Sequence, residues 1–283
     1  MKPFQPRTDL AVEAHRISSA GQTLEGVRVP ETDRAGFHLA TVEVRSPAAS
    51  EELCKPIGVY HTVTLDPVLR REEAAFSSAA ELISGLIGDL LPKNDDYSAL
   101  IVGLGNRAIT PDAVGPHTME SVLATRHLWD QMGDLFSDLR PVCVLSPGVL
   151  GSTGIEAARM VKAIAADLRP DVVVAVDALA CSEPERLCRT IQITDTGITP
   201  GSGVGNDRQA LNMESLGVPV IAIGVPTVMD IRTVSDSDPL EGLFVTPRDI
   251  DTTVSDFSKL AGYAINLALQ PDLSISDLDL LLS

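Results

Sequence analysis

Continuous apolar runs alternate with amphipathic stretches along most of the chain. The runs predict seven β-strands, at His38–Val44, Ile57–Leu65, Ser98–Gly103, Pro141–Leu145, Asp171–Val176, Thr190–Thr194 and Val218–Val225. Several of these runs are unbroken and rich in β-branched residues, as in Asp171–Val176. Such strands are typically buried on both faces, in a parallel sheet that helices cover.

Helical periodicity fills the gaps between the strands. Apolar residues recur at three- and four-residue spacing in three stretches, namely Phe76, Ala79, Ile83, Leu86 and Leu90; Ile155, Ala158, Val161, Ala165 and Leu168; and Ile250, Val254, Phe257, Ala261, Ile265 and Ala268. A proline follows each stretch as a stop signal, at Pro92, Pro170 and Pro271. Strands that alternate with helices predict an α/β fold with a mostly parallel sheet flanked by helices. We expect one domain, a polar N-terminal extension and a surface loop at Ser235–Gly242.

The charge of the chain argues against a nucleic-acid partner. Its 283 residues include 22 Lys and Arg against 39 Asp and Glu, which gives a formal net charge of −17. A surface of this sign repels phosphate backbones, so no direct nucleic-acid contact is expected. The sequence has no apolar run of the roughly 18 residues that a membrane span needs. The segment Met1–Arg7 has no apolar core typical of a secretory signal, so we expect a cytoplasmic protein without membrane contact.

Neither a metal site nor a nucleophile motif stands out in the sequence. The four cysteines form no Cys-x-x-Cys pair and predict reduced thiols, as in a cytosolic compartment. The five histidines are scattered, with no His-Glu-x-x-His helix for zinc. The chain also lacks the Gly-x-Ser-x-Gly turn of serine hydrolases. The prediction is therefore no metal and no cofactor.

Polar and glycine-rich loops follow four of the predicted strands. In an open α/β sheet, ligands bind beyond the carboxyl ends of the strands, so these loops are the candidate site. Asp177 follows a strongly apolar run, and partial desolvation of an acid at such a strand end raises its pKa. Asp112 lies at a loop-to-helix junction, where the alternative role is that of a helix N-cap. Asp195 is a third candidate, although Asp195–Gly197 also suits a turn.

Two of these acids suggest a reaction. If the strands that carry Asp112 and Asp177 are neighbours, the two carboxyl groups can share one proton and one water molecule. A shared proton and a held water activate that water for attack on a carbonyl carbon. The sequence therefore offers Asp112 and Asp177 as a hydrolytic pair.

Two other functions fit parts of the sequence. The spacing Gly103-x-Gly105-x-x-Ala108 after a strand matches a relaxed dinucleotide-binding fingerprint. Pro111 stands where the phosphate-binding helix would run, which weakens that match. A non-catalytic acidic protein that shields a basic partner is the third possibility.

Taken together, the motifs resemble the spore germination protease family. The resemblance spans nearly the whole chain, in order, and is carried by these blocks: Arg7–Glu13, Gly103–Asn106, Thr110–Pro116, Ser146–Gly154, Val176–Ala180, Thr190–Ile198, Pro200–Asn206, Leu216–Thr227 and Val245–Asp251. Two departures from the family pattern are a shortened loop at Val234–Glu241 and the segment Arg107–Ile109, where an aromatic residue is common.

The resemblance implies an endopeptidase that begins the degradation of small acid-soluble spore proteins during germination. It implies an α/β fold similar to hydrogenase-maturation proteases, a location in the forespore or spore core, and a homotetramer. The family is grouped with aspartic-type peptidases, and its two essential acids map onto Asp112 and Asp177. Family members are made as zymogens that remove a short N-terminal segment.

The N-terminus of this chain suggests where such a cut would fall. Arg7–Glu13 resembles the sequence that the family cuts in its substrates, namely Ser or Thr, an acid, a large apolar residue and Ala. We therefore predict self-cleavage between Asp9 and Leu10. Residues 1–9 would be the propeptide and residues 10–283 a single peptidase domain. The alternative is an ordinary disordered N-terminus.

Overall fold

The computed structural model describes residues 8–19, 24–94, 96–133, 138–202, 208–233 and 242–282. Its strands are β1 (Val27–Arg28), β2 (Glu31–Arg34), β3 (Phe37–Val44), β4 (Gly58–Thr64), β5 (Ala99–Gly103), β6 (Val142–Leu145), β7 (Val172–Cys181), β8 (Thr190–Thr194), β9 (Val220–Asp230) and β10 (Phe244–Val245). Its α-helices are α1 (Ala11–Ser19), α2 (Pro47–Leu53), α3 (Asp66–Leu69), α4 (Ala75–Leu90), α5 (Val114–Met119), α6 (Arg126–Met132), α7 (Leu150–Thr153), α8 (Ala157–Leu168), α9 (Met213–Leu216), α10 (Ile250–Leu269) and α11 (Ile275–Leu281). Short 3-10 turns lie at Thr110–Asp112 and Ile231–Thr233.

All the strands belong to one sheet with two different halves. The order along the sheet is β1-β3-β4-β8-β9-β7-β5-β6, with β2 beside β3 and β10 beside β9. Strands β9, β7, β5 and β6 run parallel to one another. Strands β8, β4, β3 and β1 continue the sheet in antiparallel pairs. The predicted α/β fold is therefore confirmed, and its long buried strands form the parallel half.

Helices cover both faces of the parallel half. On β7, Val174 and Val176 face a core that includes α4 and α10, whereas Val173 and Ala175 face α8. Burying an apolar side chain of this size contributes about 1.5–3 kcal/mol, and two-sided burial explains the unbroken apolar runs. A separate cluster packs α1 against β3, β4 and the far end of β7.

The seven predicted strands are all present, but two of them end later than the sequence suggests. The apolar runs predict ends at Val176 and Val225, whereas β7 continues to Cys181 and β9 to Asp230. The two strands keep pairing beyond the predicted ends because each satisfies the backbone groups of the other. The prediction that Asp177 follows its strand is thus wrong: Asp177 lies within β7.

The helix predictions need only small corrections. The first and third periodic stretches correspond to α4 and α10, and the second to α8, which begins at Ala157 and leaves Ile155 exposed. Strands β1, β2 and β10 were not predicted, since each has two to four residues and little apolar alternation. Most of the predicted Ser235–Gly242 loop lies outside the described residues, as does the shortened segment Val234–Glu241.

Two further findings bear on the sequence predictions. None of the four cysteines is in a disulfide. No helix in the described ranges is long and apolar enough to cross a membrane.

Candidate active site

A glycine-lined turn after β5 sets the position of Asp112. A side chain at Gly103 would lie 2.4 Å from the main-chain oxygen of Gly115, and one at Gly105 would lie 2.1 Å from that of Asp112. Gly105 also has φ +110°, a conformation that favours glycine. The two glycines therefore let the Asp112 turn and the start of α5 lie directly against the end of β5. This packing accounts for the Gly103-x-Gly105 pattern without a nucleotide.

The carboxyl group of Asp112 binds the turn and does not cap a helix. The Asn106 N–H donates to Asp112 Oδ2 at 2.9 Å and to the main-chain oxygen of Asp112 at 2.9 Å. Helix α5 begins at Val114, its N-cap is Ala113, and no side chain caps it. The N-cap alternative for Asp112 is therefore wrong. Within the described residues, the other carboxyl oxygen of Asp112 accepts no hydrogen bond, and Asp112 lines the cleft.

Asp177 lies on β7 one residue beyond the point where β5 stops pairing. The last register pair joins Gly103 to Val176, and the Leu104 N–H then closes the ladder on the Val176 carbonyl at 2.8 Å. The side chain of Asp177 is only 4% exposed. Its Oδ1 accepts a hydrogen bond from the Ala178 N–H at 2.9 Å. Asp177 is thus a buried acid with one modest hydrogen-bond donor.

Burial raises the pKa of both acids. The pKa of Asp177 lies well above its ordinary value because of burial first, then the nearby charge of Asp112, with Asp9 adding to the effect. Burial also raises the pKa of Asp112, against the Asn106 hydrogen bond and the charge of Arg208. Two interacting acids of this kind titrate as a pair, which favours a one-proton form.

Both acids line one cleft. The cleft has a volume of about 360 Å³ and is bordered by Asp9, Gly105, Asp112, Gly148, Asp177 and Arg208 among others. The condition set for a shared site is met, since β5, which precedes the Asp112 turn, pairs with β7, which carries Asp177. Their catalytic role stays a prediction.

The N-terminal segment of the chain lies in the same cleft. The Asp9 N–H donates to the Ala180 carbonyl at 2.9 Å, and the Ala180 N–H donates to Asp9 Oδ2 at 2.8 Å. The hydroxyl of Ser202 donates to Asp9 Oδ1 at 2.7 Å. Asp9 can pair with this part of β7 because β5 has already ended, which leaves the backbone edge of β7 open. Residues 1–7 of the predicted propeptide lie outside the described residues.

Two side chains hold the carbonyl oxygen of Asp9. Lys55 Nζ donates to it at 2.9 Å and to the Thr8 carbonyl at 3.2 Å. Gln192 Nε2 donates to the same Asp9 oxygen at 3.3 Å. Gln192 Oε1 also accepts the Ala11 N–H at 2.8 Å. The peptide bond between Asp9 and Leu10 is therefore held on both sides.

The residues after Asp9 are anchored in the domain. Leu10 and Val12 are buried in the cluster beneath α1. Glu13 is 0% exposed and accepts hydrogen bonds from the Ser182 N–H at 2.7 Å, the Ser182 hydroxyl at 2.8 Å and the Glu183 N–H at 3.0 Å. The hydroxyl of Thr8 donates to the same carboxylate. Each polar residue of the Thr8–Glu13 stretch thus has a specific partner.

Several residues of the site were not predicted from the sequence: Lys55, Gln192, Ser202 and Arg208. Gln192 did carry a signal, because it is the amide in a strand otherwise made of Thr and Ile. Asp195, the third acidic candidate, lies elsewhere: its Oδ1 accepts the Val59 N–H at 2.8 Å, which ties the start of β4 to the end of β8. Its role as a turn residue is the one that the structure supports.

The candidate metal ligands of the chain are dispersed. Among the residues that the structure describes, no group of three or more His, Cys, Asp or Glu side chains is arranged to hold a metal ion. The prediction that no metal is used stays a prediction.

Comparison with known proteins gives matches among both solved structures and sequences. The structure of a [NiFe] hydrogenase maturation protease, HycI from Thermococcus kodakarensis KOD1, matches with a TM-score of 0.38 and 20% identity, over 64% of this chain and 99% of that protein. A family model for the germination protease matches residues 7–241.

Three relatives illustrate the sequence similarity, and each is named Germination protease. The protein of Clostridium perfringens (strain 13) is 35% identical over 320 residues, covering 98% of both chains. That of Clostridium tetani is 38% identical over 317 residues, covering 96% of this chain and 98% of the relative. That of Bacillus cereus is 41% identical over 249 residues, covering 85% of this chain and 67% of the relative.

Proposed function

The chain belongs to the germination protease family, and from that premise we propose that it is an endopeptidase that starts the degradation of small acid-soluble spore proteins when a spore germinates. The observation that carries the proposal is the docking of Asp9 in the cleft that Asp112 and Asp177 line. A segment that resembles a substrate already lies beside the acids that would cut it.

In this proposal, Asp112 and Asp177 act on water. In the one-proton form of the pair, the ionised carboxylate accepts a proton from a water molecule as its oxygen attacks the peptide carbonyl carbon. The protonated carboxyl donates its proton to the leaving nitrogen. The raised pKa of Asp177 supports this division of roles, because it keeps a proton in the pair at a pH where an ordinary aspartate is ionised.

The chain is proposed to be a zymogen that removes residues 1–9. The contacts of the Asp9 carboxylate with Ala180 and Ser202 are those expected of an acidic residue before the cut. Leu10 would become the new N-terminus and is already buried under α1. While Asp9 occupies the cleft, a second substrate cannot enter at that position, so the uncut chain would be inactive toward other proteins.

Acid is the expected trigger for self-cleavage. Asp9, Asp112 and Asp177 line one cleft, whereas Arg208 is the cation that lowers the pKa of both catalytic acids. As the pH falls, the pair takes up a proton and its mutual repulsion drops.

The family also implies that the protein works as a homotetramer in the spore core, which size measurement in solution would test.

The proposed function is tested by direct cleavage. Purified full-length protein is incubated between about pH 5 and 7, and the N-terminus of the product is sequenced. The processed protein is then mixed with a small acid-soluble spore protein, and the fragments are measured by mass spectrometry. We expect a product that begins at Leu10 and one or a few discrete cuts after an acidic residue.

Two results would overturn the proposal. A full-length chain that stays uncut yet degrades the spore protein at full rate would show that there is no zymogen. A processed chain that leaves the spore protein intact, and is stabilised to saturation by a nucleotide in a thermal-shift measurement, would favour the nucleotide-binding alternative.

A further inference from the structure

The carbonyl oxygen of Asp9 belongs to the peptide bond that the proposed cut would break. Two hydrogen-bond donors from distant parts of the chain converge on this one oxygen: Lys55 Nζ at 2.9 Å and Gln192 Nε2 at 3.3 Å. Lys55 lies 46 residues from Asp9 in the sequence and Gln192 lies 183 residues away. A main-chain carbonyl needs only one donor to be satisfied, so the convergence of a cation and an amide calls for a further reason.

The donors are held in place by the surrounding structure. Helix α2 ends at Cys54, which is left-handed with φ 50°, and the Lys55 N–H then donates to the Ser50 carbonyl at 3.1 Å. This cap fixes the direction in which the Lys55 side chain leaves the helix. Gln192 cannot turn its amide around without losing a bond, because its Oε1 already accepts the Ala11 N–H at 2.8 Å. Its Nε2 therefore faces Asp9.

The register of the sheet places Gln192 on the same face as Asp177. Gln192 of β8 pairs with Gly224 of β9, and Gly224 pairs with Asp177 of β7. Residues paired in this way point to the same face of a sheet, and the two outer strands of three lie about 10 Å apart. Gly224 has no side chain on this face, and the side chain of Leu179 packs over it. Gln192 and Asp177 therefore lie on the same face of the sheet, two strands apart.

We propose that Lys55 and Gln192 form the oxyanion-binding site of this peptidase, with Lys55 as a third catalytic residue beside Asp112 and Asp177. The inference rests on the proposed cut between Asp9 and Leu10. The water oxygen bonds to the Asp9 carbonyl carbon, and the water proton passes to the carboxylate pair. The electron pair of the C=O double bond moves to the oxygen that Lys55 and Gln192 face. When the tetrahedral intermediate collapses, the C–N bond breaks and the Leu10 nitrogen takes a proton from the pair.

The ammonium group of Lys55 would stabilise the tetrahedral intermediate more than the uncut peptide. The carbonyl oxygen carries a partial charge in the ground state and nearly a full negative charge in the tetrahedral intermediate. A fixed ammonium group therefore binds the intermediate more strongly than the uncut peptide, and only such differential binding accelerates the reaction. Because the hydrogen bonds of Lys55 go to the main-chain oxygens of Thr8 and Asp9, the same interaction is available to any peptide that docks in the place of residues 8–10.

The test is the substitution Lys55→Met, which keeps the length of the side chain and removes its charge. Self-cleavage of the full-length chain is followed by mass spectrometry. We expect the rate to fall about 100- to 1,000-fold, the usual cost of losing one oxyanion donor. The control is Lys93→Met: Lys93 also donates to two carbonyls, those of Gly88 and Asp89, but at the exposed end of α4. Its self-cleavage rate should equal that of the unsubstituted chain.

A second measurement separates catalysis from docking. Hydrogen exchange of the Asp9 N–H, which donates to Ala180, reports whether the segment is in the cleft. The exchange rate is compared between the Asp177→Asn variant and the double variant that also carries Lys55→Met, since neither protein should cut itself. Retained protection together with slow cleavage supports the oxyanion role, and thermal unfolding confirms that the variants are folded.

The outcomes distinguish this inference from the function on which it rests. Normal self-cleavage by Lys55→Met, with the product still beginning at Leu10, would overturn the oxyanion site and leave the proposed function intact. If Lys55→Met loses both cleavage and the protection of the Asp9 N–H from hydrogen exchange, Lys55 is a docking residue. That result would also overturn the oxyanion site. An unsubstituted chain that is cut elsewhere, or not at all, would overturn both.

Discussion

Asp177 and Glu13 are both buried carboxylic acids on the same side of the sheet, yet their surroundings differ. Glu13 accepts hydrogen bonds from two main-chain N–H groups and two hydroxyls, and Arg186 lies 3.9 Å from it. From the part of the chain that the structure describes, Asp177 accepts one, from Ala178, and has Asp112 and Asp9 as acidic neighbours. A buried charge is stable only when it is paired or hydrogen-bonded. Glu13 therefore has the hydrogen bonds that hold the chain, whereas Asp177 has the raised pKa expected of an acid that exchanges a proton.

The comparison has a functional meaning for the N-terminal segment. Glu13, with its many hydrogen bonds, fixes the segment after the proposed cut, and Asp177 belongs to the pair that is proposed to cut it. Anchoring and chemistry are thus assigned to different carboxylates. Four predictions test this division, and they are ordered from the largest expected effect to the smallest.

The first prediction concerns the two proposed catalytic acids. Asp112→Asn and Asp177→Asn should each slow peptide cleavage by about 10⁴-fold or more, because either change removes the shared proton acceptor. The double variant should be little slower than either single variant, since the residues act as a unit. The measurement is the rate of self-cleavage and of spore-protein cleavage. Near-normal cleavage by either single variant would remove that residue from the mechanism.

The second prediction concerns the anchoring acid. Glu13→Ala should lower the free energy of unfolding by about 3 kcal/mol, because it leaves the buried Ser182 and Glu183 donors without their acceptor. The measurement is urea denaturation of the uncut protein, made in the Asp177→Asn background. The matched control is Glu81→Ala on the exposed face of α4, where we expect a change of less than about 0.5 kcal/mol. Equal effects of the two substitutions would contradict the anchoring role.

The third prediction concerns the pH dependence of stability. The pKa of Asp177 is higher in the folded chain than in the unfolded chain, so ionising it costs folding free energy as the pH rises from its ordinary value through the raised one. Asn cannot ionise, so Asp177→Asn should be more stable than the unsubstituted chain near neutral pH. The stability difference should shrink toward about pH 4. Thermal unfolding at several pH values measures this difference. Asp112→Asn is introduced into both the Asp177 chain and the Asp177→Asn variant to prevent self-cleavage. A difference that is constant with pH would show that folding does not raise the pKa of Asp177.

The fourth prediction is the absence of an effect. If the pair activates water without a metal ion, EDTA and phenanthroline should leave the cleavage rate unchanged. Thiol and serine reagents should also leave it unchanged. Inactivation by a chelator that is reversed by one particular metal would contradict this prediction. It would mean that the acids of the cleft bind a metal ion, which then activates the water.

The sequence alone was informative wherever the physical signal is local. Unbroken β-branched runs predicted the long strands, because a strand covered on both faces has no polar side. Apolar spacing predicted α4, α8 and α10. An acid directly after a strongly apolar run marked Asp177, since such a position is costly unless it has a use. Ordered motif blocks also indicated the family that the comparisons then showed.

The tertiary structure decided everything that depends on distant residues meeting. No local pattern shows that Lys55 and Gln192 contact the same oxygen, because their positions follow from the pairing of β8, β9 and β7 and from the end of α2. The continuation of β7 past Asp177 was equally hidden, since it depends on the partner strand β9. The open edge on which Asp9 docks exists because β5 stops at Gly103, where Gly115 packs against it. Hydrophobic periodicity determines which segments become strands and helices, whereas strand register and close glycine packing determine which of their polar atoms come together.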